Sequence, residues 1–282
     1  TRFPPEAVKA FFEGLGVPLK TERGNRVFPC SDKAADIIDA LLLALRRSGV
    51  HIVQDRARAL RREGEILTGV EGERGFYPGG AVVIATGATP RPLGVPGEEA
   101  LIGKGVHYCA ACDGAPYRGK TVAVVGGGNS AAADALALSR IAKKVYLIHR
   151  RDSLRATKVY HEPLMAAPNV EFCWNSTVSA LLHESRLTGL RLQDVNTGAE
   201  RELACDGVFI SVGRAPATEL FRSELALDKS GYIIADESTR TNLPGVFAVG
   251  DVRTKALRQV VTAVSDGAVA VHYAEEYLAE NR

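Results

Sequence analysis

The sequence has no long apolar segment and no marked excess of either charge. It carries 35 Lys and Arg against 33 Asp and Glu, a formal net charge of +2 over 282 residues. Because no run of about 18 apolar residues occurs and no apolar leader opens the chain, we expect neither a membrane span nor a signal peptide. The interspersed charges also predict that neither nucleic acid nor an anionic membrane is a partner.

Cysteine is scarce, which excludes a dense disulfide framework of the secreted kind. The chain has five cysteines, and only Cys109 and Cys112 lie close together. An odd count with one close pair is typical of a reducing compartment, so we expect a cytoplasmic protein with one redox or metal pair. We interpret Cys30, Cys173 and Cys205 as buried thiols.

The close cysteine pair is followed at once by Asp113-Gly114. Two thiols separated by two residues can form a disulfide, and a neighbouring carboxylate can supply or accept the proton that thiol–disulfide exchange requires. Half of a zinc site and two buried structural thiols are the alternatives. Zinc is disfavoured because it needs four ligands and no second cysteine pair or His-x-x-His accompanies this one. We therefore predict no metal site and favour a redox pair.

A glycine-rich turn at 125–131 follows a strand-like apolar run and opens a helical pattern. Gly126 allows a tight turn, Gly128 leaves room for a pyrophosphate, and Ala131 lets the helix pack closely on the sheet. This context favours a dinucleotide site over a purely structural turn. The residues predicted to bind the cofactor here are Gly126, Gly127, Gly128, Asn129 and Ser130.

The next strand ends in His149-Arg150-Arg151, and Arg155 follows one helical turn further on. An acidic residue at this place would bind a ribose 2′-hydroxyl, whereas arginines suit a 2′-phosphate through forked, charge-assisted hydrogen bonds. A solvated basic cap is the alternative. We favour NADPH over NADH as the nucleotide and predict that His149, Arg150, Arg151 and Arg155 belong to its binding site. We interpret the His149 imidazole itself as a packing group.

The order of apolar segments predicts an α/β fold of two domains. A strand at 121–125, a helix at 129–142 and a strand at 145–148 form a βαβ unit, with another strand at 209–211. A last strand at 245–249 leads into Gly250-Asp251 and a long helix that ends near residue 278.

The first ninety residues yield a separate set of expectations. We predict a helix opened by Pro4-Pro5, a hairpin turning at Gly24-Asn25, and a helix capped by Ser31 with a buried stripe. That stripe is Ile37, Ile38, Leu41, Leu42 and Leu45. Strand-like pieces follow at 50–53 and 66–70. The run at 81–85 suits a central strand covered on both faces, and 86–92 reads as an irregular linker.

Five motifs in order resemble low-molecular-weight thioredoxin reductase, and the likeness runs from about residue 81 to the C-terminus. They are Cys-Ala-x-Cys-Asp-Gly at 109–114, Gly-Gly-Gly-Asn-Ser-Ala at 126–131, His-Arg-Arg-x-x-x-Arg at 149–155, Pro-Gly-Val-Phe-Ala-Val-Gly-Asp-Val at 244–252, and Arg-Gln-Val at 258–260.

The resemblance implies an NADPH-dependent thioredoxin-disulfide reductase with FAD, two Rossmann-like domains and a homodimeric assembly. An NADPH domain at 92–217 would carry the cysteine pair, and a discontinuous FAD domain would comprise 1–91 and 218–282. Linkers at 89–92 and 215–218 would be the hinge between them. Cys112 would face the flavin, Cys109 would exchange with thioredoxin or a similar small disulfide protein, and Asp113 would be the acid/base. The residues assigned to FAD are Thr86, Gly87, Gly250, Asp251, Arg258, Gln259 and Val260.

The first eighty residues depart from that family. The segments 13–29 and 31–34 resemble aminoacetone-oxidase-like flavoproteins instead. Both families open with a Gly-x-Gly-x-x-Gly turn for the FAD pyrophosphate, and no such turn occurs before residue 81. We therefore expect an FAD domain that lacks its N-terminal half. The alternative function is a truncated or fused fragment that binds NADPH without turnover.

Overall fold

The computed structural model describes residues 4–22 and 25–281. Its α-helices are α1 (Pro5–Gly14), α2 (Ala34–Arg47), α3 (Ala110–Asp113), α4 (Asn129–Ser139), α5 (His161–Ala166) and α6 (Val260–Glu280). Its strands are β1 (Leu19–Glu22), β2 (Arg26–Pro29), β3 (Ala57–Glu63), β4 (Ile66–Gly72), β5 (Phe76–Pro78), β6 (Val82–Ile84), β7 (Ala88–Pro90), β8 (Val106–His107), β9 (Thr121–Val125), β10 (Lys144–Ile148), β11 (Val170–Cys173), β12 (Ser176–His183), β13 (Leu187–Asp194), β14 (Glu200–Ala204), β15 (Gly207–Ile210), β16 (Arg214–Pro216) and β17 (Val246–Ala248).

The chain divides into two compact units. One takes in the residues up to Arg58 together with Gly72–Phe76, and the other comprises Ala59–Glu71 and Tyr77–Arg282. The boundary predicted between an NADPH and an FAD domain falls inside the larger unit, and that boundary stays a prediction.

The smaller unit contains α1, the β1–β2 hairpin and α2. The predicted first helix and the hairpin are confirmed: Pro5 opens α1, and Glu22 pairs with Arg26 across a turn. Asn25 takes a left-handed φ of 58° in that turn, while its predicted partner Gly24 lies outside the described residues. Asparagine tolerates this conformation because its short polar side chain can bond locally.

Three predictions for the smaller unit are wrong. The N-cap of α2 is Lys33, and the Ser31 hydroxyl bonds the Asp36 carboxylate 2.5 Å away instead of capping the helix. Residues 50–53 form no strand. The stripe on α2 is not buried, since Ile38 is 57% exposed and Leu45 44% exposed. Periodicity identified the helix correctly but says nothing about whether a neighbour covers its apolar face.

In the larger unit, a five-stranded parallel sheet runs in the order β11-β10-β9-β15-β8. The predicted βαβ unit is β9–α4–β10, as expected from the apolar run and the glycine turn. In β9, Val122 and Val124 pack in one core cluster with α4, and Ala123 and Val125 pack in the cluster on the opposite face. Burial on both faces is the usual state of a parallel strand and explains why β9 reads as a continuous apolar run.

A three-stranded antiparallel sheet, β12-β13-β14, supplies the cover on the second face. Its Leu181, Leu190, Leu192 and Leu203 belong to the same buried cluster as Ala123 of β9. The central sheet therefore lies between α-helices and this second sheet, with the ends of β9 and β15 held in place.

The predicted strand at 81–85 is β6, which pairs in parallel with β17. The prediction that both of its faces are covered is wrong, because Val83 is 43% exposed. The segment predicted as an irregular linker contains β7, which pairs antiparallel with β16: Ala88 lies opposite Pro216 and Pro90 opposite Arg214. The two predicted hinge segments therefore run side by side.

Candidate active site: a disulfide beside a nucleotide cleft

Cys109 and Cys112 form a disulfide at the short helix α3, with their Cα atoms 5.3 Å apart. Cys109 is the N-cap residue, and its sulfur accepts the backbone N–H of Cys112 at 3.1 Å. Cys109 is half-buried, whereas Cys112 is exposed. Cys112 is thus the member of the pair that a macromolecular partner can reach from the surface.

The other three cysteines are free. Burial raises the pKa of the Cys173 thiol and raises that of Cys205 to about 12. Thiols held in their neutral form react slowly, so neither competes with the disulfide pair. The expectation that Cys30 is buried is wrong, since Cys30 is exposed. Within 4–22 and 25–281, no group of three or more His, Cys, Asp or Glu residues is placed to hold a metal ion.

Asp113, the predicted acid/base, ends α3 with its side chain 46% exposed. Its carboxylate lies 3.4 Å from Nδ1 of His107. The other ring nitrogen of His107 lies 2.7 Å from the Tyr117 hydroxyl. Asp113 therefore has a fixed polar neighbour on one side and solvent on the other.

The glycine turn at the end of β9 has the tight geometry that the sequence predicts. Gly126 has a φ of 144°, and a Cβ there would lie 2.4 Å from the Ser211 carbonyl oxygen. A Cβ at Gly127 would lie 2.3 Å from the His149 ring, whereas one at Gly128 would meet nothing within 4 Å. The backbone before α4 is consequently open to an approaching group, with free N–H donors at a helix N-terminus.

The arginines lie around this turn and are exposed. The Gly127 carbonyl accepts the backbone N–H of Arg155 at 2.7 Å, which fixes that residue beside the turn. Arg150 and Arg155 line a cleft of about 310 Å³ together with Gly126, Gly127 and His149. The lining does not include Arg151. Five of the predicted nucleotide residues thus lie around one cleft. Arg151 is outside its lining, and so are Gly128, Asn129 and Ser130 near the start of α4.

His149 lies at the back of the cleft and is 4% exposed. Burial, followed by the nearby arginines, lowers its pKa, so the ring is neutral at neutral pH. Its Nε2 has no hydrogen-bond partner among the described residues. The ring contacts Gly127 and stands 6.5 Å from the Trp174 ring, in keeping with the predicted packing role.

A second cavity of about 460 Å³ lies beside the disulfide and is here named the disulfide cavity. The predicted site residues that line it are Cys109, Asn129, Ser130, Arg258 and Gln259. Cys112 and Asp113 do not belong to its lining, nor do Thr86, Gly87, Gly250, Asp251 and Val260. The cavity therefore brings together Cys109 of the redox pair, the start of α4 and the two residues that precede α6.

Asp134, which the sequence did not single out, also lines the disulfide cavity. The Ser211 hydroxyl donates to its carboxylate at 2.5 Å, and the backbone N–H of Ala110 donates to it as well. Burial raises the pKa of this carboxyl, against those two donors. The only sign of this residue in the sequence is one acidic position among the alanines of α4. Such a position is ordinarily interpreted as a solvent-exposed site on the helix.

Gly250 and Asp251, predicted to meet FAD, follow β17 and are tied to a buried charge cluster. The Gly250 N–H donates to Asp266 of α6 at 2.8 Å. Arg253 donates to both oxygens of the same carboxylate, and Lys255 donates to it at 2.6 Å. Asp251 accepts a 3.5 Å contact from Arg214.

Arg258 and Gln259 lead into α6. The Arg258 guanidinium lies 3.8 Å from the centre of the Tyr232 ring, and its buried Nε has no hydrogen-bond partner among the residues the structure describes. Gln259 and Thr262 form a reciprocal capping box at the start of the helix. Val260, the first helical residue, is 81% exposed. The helix N-terminus is thus fixed in direction while its first turn stays accessible.

Thr86 and Gly87 join β6 to β7. The Thr86 hydroxyl donates to the Ala217 carbonyl at 2.7 Å, and Gly87 accepts the Ala217 N–H while holding a φ of 70°. These bonds fix the two residues at the end of the antiparallel pair formed by β7 and β16.

The donor sets suit two different groups. An open glycine turn, a helix N-terminus and exposed arginines fit the pyrophosphate and 2′-phosphate of NADPH. An unpartnered guanidinium nitrogen and an accessible helix N-terminus beside the disulfide fit the electron-rich edge of a flavin ring. Among the described residues, only the turn at 126–128 joins a strand to an α-helix through consecutive glycines.

A nucleotide cleft and a disulfide carried by one α/β sheet define a nucleotide-linked disulfide oxidoreductase. The chain matches the family model for pyridine nucleotide-disulphide oxidoreductase over residues 19–267, and it belongs to that family.

Within the family, its relatives include several thioredoxin reductases. It is 44% identical to thioredoxin reductase of Streptomyces clavuligerus over 245 residues, which is 86% of this chain and 76% of the relative. It is 42% identical to thioredoxin reductase of Listeria monocytogenes over 246 residues, 87% of this chain and 77% of the relative. The crystal structure of thioredoxin reductase from Streptococcus pyogenes superposes with a TM-score of 0.79 at 37% identity, over 93% of this chain and 84% of the other.

Proposed function

We propose that this protein is an NADPH-dependent flavoprotein disulfide reductase that reduces thioredoxin through FAD and the Cys109–Cys112 disulfide. The observation that carries the proposal is the disulfide placed beside the start of α4, whose glycine turn forms a nucleotide cleft. The thioredoxin reductase relatives support the substrate.

The glycine turn and α4 bind the nucleotide. Backbone N–H groups before α4 hold the pyrophosphate, and Gly126 keeps the turn tight enough to present them. Arg150, Arg151 and Arg155 hold the 2′-phosphate, which distinguishes NADPH from NADH. We assign residues 92–217 to this nucleotide domain.

Residues 1–91 and 218–282 are assigned to FAD, which when bound passes two electrons from the nicotinamide to the disulfide. Gly250 and Asp251 hold its ribityl and phosphate part. Thr86 and Gly87, beside the β7–β16 pair, also belong to the FAD site. Arg258, Gln259 and Val260 orient the N-terminus of α6 toward the flavin ring, where the helix dipole stabilises negative charge.

The reduced cysteine pair transfers its two electrons to thioredoxin. Asp113 accepts the proton of the Cys109 thiol, and the thiolate attacks the thioredoxin disulfide to form a mixed disulfide while the proton passes to the leaving thioredoxin sulfur. The Cys112 thiolate then attacks the Cys109 sulfur of the mixed disulfide. The Cys109–Cys112 bond re-forms, and the second thioredoxin sulfur leaves with the proton of Cys112. In this structure Cys109 lines the disulfide cavity and Cys112 is exposed, the reverse of the arrangement in which Cys112 faces the flavin and Cys109 meets thioredoxin. Serving both the flavin and thioredoxin therefore requires movement about the β7–β16 pair.

The remaining expectations are that the protein is cytoplasmic, forms a homodimer and binds neither nucleic acid nor membrane. Among the described helices, none is long and apolar enough to cross a membrane. These expectations follow from the balanced charge and from the family.

The alternative is a nucleotide-binding module that binds NADPH but does not retain FAD. The specific observation behind it is that, in the described part of the FAD-assigned segments, no run of consecutive glycines joins a strand to an α-helix. The thioredoxin reductase relatives, which align with 86% and 87% of this chain, favour the enzyme.

The absorption spectrum of the purified protein incubated with FAD separates the two functions. The enzyme retains flavin bands through gel filtration, loses them when NADPH is added and recovers them when oxidised thioredoxin follows. A colourless protein that still binds NADPH would identify the module. Oxidised glutaredoxin serves as the control acceptor.

A further inference from the structure

His107 lies in the last position of strand β8, on the sheet that carries the nucleotide turn. Its backbone is paired with Phe209 of β15, and its ring stacks on the Phe209 ring at 5.2 Å with an interplanar angle of 25°. Its side chain is 11% exposed. The imidazole therefore has a fixed position, which a surface histidine lacks.

Tyr117 fixes one nitrogen of that ring. It is 2% exposed, and its ring fills the space over Gly207, where a Cβ would lie 2.3 Å from it. The Tyr117 hydroxyl stands 2.7 Å from Nε2 of His107. Burial raises the pKa of Tyr117, so the phenol keeps its proton and can donate it.

The other nitrogen of His107 faces the proposed acid/base. Nδ1 lies 3.4 Å from the Asp113 carboxylate. An ionised carboxylate only accepts hydrogen bonds, so Nδ1 must carry the proton in this contact. In the neutral ring Nε2 is then the acceptor for Tyr117. The chain of contacts thus runs in one direction, from Tyr117 through His107 to Asp113.

The charges around this chain keep His107 neutral. Burial lowers the pKa of His107, Asp113 acts in the opposite direction, and Arg186 lowers it further. Arg186, Asp113 and Asp206 also act on Tyr117, and the Lys120 ammonium lies 5.5 Å from the centre of the Tyr117 ring. His107 is therefore a fixed, uncharged donor at neutral pH.

We infer that His107 is a positioning residue for thiol–disulfide exchange: its Nδ1–H, held by Tyr117, orients the Asp113 carboxylate that directly follows the cysteine pair. The inference rests on the proposed acid/base role of Asp113. Loss of the donor leaves the Asp113 side chain free to turn into solvent.

The test follows formation of the Cys109–Cys112 disulfide in the reduced full chain. Oxidised dithiothreitol is added at a series of pH values, and the pair is sampled by alkylation and peptide mass spectrometry, so that Cys30 does not contribute. Neither FAD nor NADPH is required. Asp113→Asn is expected to slow the reaction by about tenfold or more at each pH, as loss of a general acid/base does.

Two substitutions at residue 107 form a matched pair. The amide nitrogen of Asn stands near the place of Nδ1, whereas that of Gln stands near Nε2. We expect His107→Gln to slow the exchange by about two- to tenfold, the range that loss of one hydrogen bond gives, and His107→Asn to restore most of the wild-type rate. Tyr117→Phe should slow the exchange by less, and it carries the test if both residue-107 variants fail to fold.

The outcomes separate this inference from the function on which it rests. If Asp113→Asn slows the exchange while His107→Gln and Tyr117→Phe keep the wild-type rate, the role of His107 is overturned and that of Asp113 stands. Equal losses of rate in His107→Gln and His107→Asn would also overturn it, because they would report lost packing. If Asp113→Asn keeps the wild-type rate, the acid/base role fails first, and that of His107 fails with it.

Discussion

The nucleotide cleft and the disulfide cavity use charge in opposite ways. In the cleft, exposed arginines surround a backbone turn, and each is free to meet a phosphate from solvent. At the cavity, the acidic group is Asp134, which is tied to Ser211 and to the backbone of the redox helix. Exposed charge suits recognition of a ligand that comes and goes, whereas a bonded, partly buried charge fixes the geometry of a reacting group.

The difference predicts how each region responds to substitution. Removing an exposed arginine weakens one ligand and leaves the fold intact. Changing a buried acid alters the groups bonded to it. Salt should accordingly weaken nucleotide binding more than it changes the reactivity of the thiols.

The largest effect is expected at the redox pair. Cys112→Ser removes the resolving sulfur, so thioredoxin reduction should fall by about a thousandfold or more while NADPH affinity stays nearly unchanged. Steady-state assays and a nucleotide titration measure the two quantities. Cys30→Ser, at an exposed unpaired cysteine, is the control. Parallel loss of nucleotide binding would contradict the separation of the two regions.

The second effect is nucleotide selectivity. Arg150→Ala combined with Arg151→Ala should weaken NADPH by about 10- to 100-fold, since each lost charge-assisted contact to the 2′-phosphate contributes about 1 kcal/mol or more. NADH, which has no such phosphate, should change little. Arg222→Ala at another exposed position is the matched control. Equal losses for both nucleotides would make these arginines structural.

The third effect tests buried charge in the FAD-assigned segment. Burial would raise the pKa of Asp266, but bonds from Arg253, Lys255 and the Gly250 N–H lower it to about 2. A carboxyl with a lowered pKa stabilises the fold above its ordinary pKa, so this contribution, on the order of 2 kcal/mol, should be lost as pH falls from about 4 to 2.

Asp266→Asn should therefore lower the free energy of unfolding at pH 7 by about 2 kcal/mol or more, because Arg253 and Lys255 remain buried without their partner. Urea titrations at pH 7 and near pH 3 measure the difference. It should shrink at the lower pH, and a constant difference would argue against the ionic origin. Asp228→Asn, in an irregular segment elsewhere, is the comparison variant.

The smallest effect is expected from Asp134. Asp134→Asn keeps the size of the side chain but removes its negative charge from the cavity that Cys109 lines. The thiolate of the reduced pair should become more favourable, so alkylation at pH 7 should speed up by about two- to threefold. Ser211→Ala, which keeps the carboxylate, should not speed it up. Equal changes in both would show that the hydrogen bond matters more than the charge.

Local sequence patterns were sufficient for the nucleotide side. The turn at Gly126–Gly128, the strand before it and the helix after it are adjacent in sequence, so a single motif contains the whole arrangement. The same applies to the Cys109–Cys112 pair. These predictions required only short-range geometry and the period of the apolar residues.

Contacts between distant segments were not predictable in this way. The Asp134 carboxylate bonds the Ser211 hydroxyl across 77 residues of sequence. The His107 ring is held in place by Phe209 of another strand. Neither residue has a local pattern that distinguishes it from an ordinary surface or core position. Burial failed for the same reason: the stripe on α2, the strand β6 and Cys30 read as buried, but exposure depends on neighbours that the sequence period does not specify.

The most direct test of the account is the redox state of Cys109 and Cys112 after NADPH is added anaerobically to the FAD-loaded protein, read by alkylation and peptide mass spectrometry. The account predicts that both cysteines change from disulfide to fully alkylated with NADPH, and much more slowly with NADH. A disulfide that stays intact while flavin is bound and NADPH is consumed would contradict it.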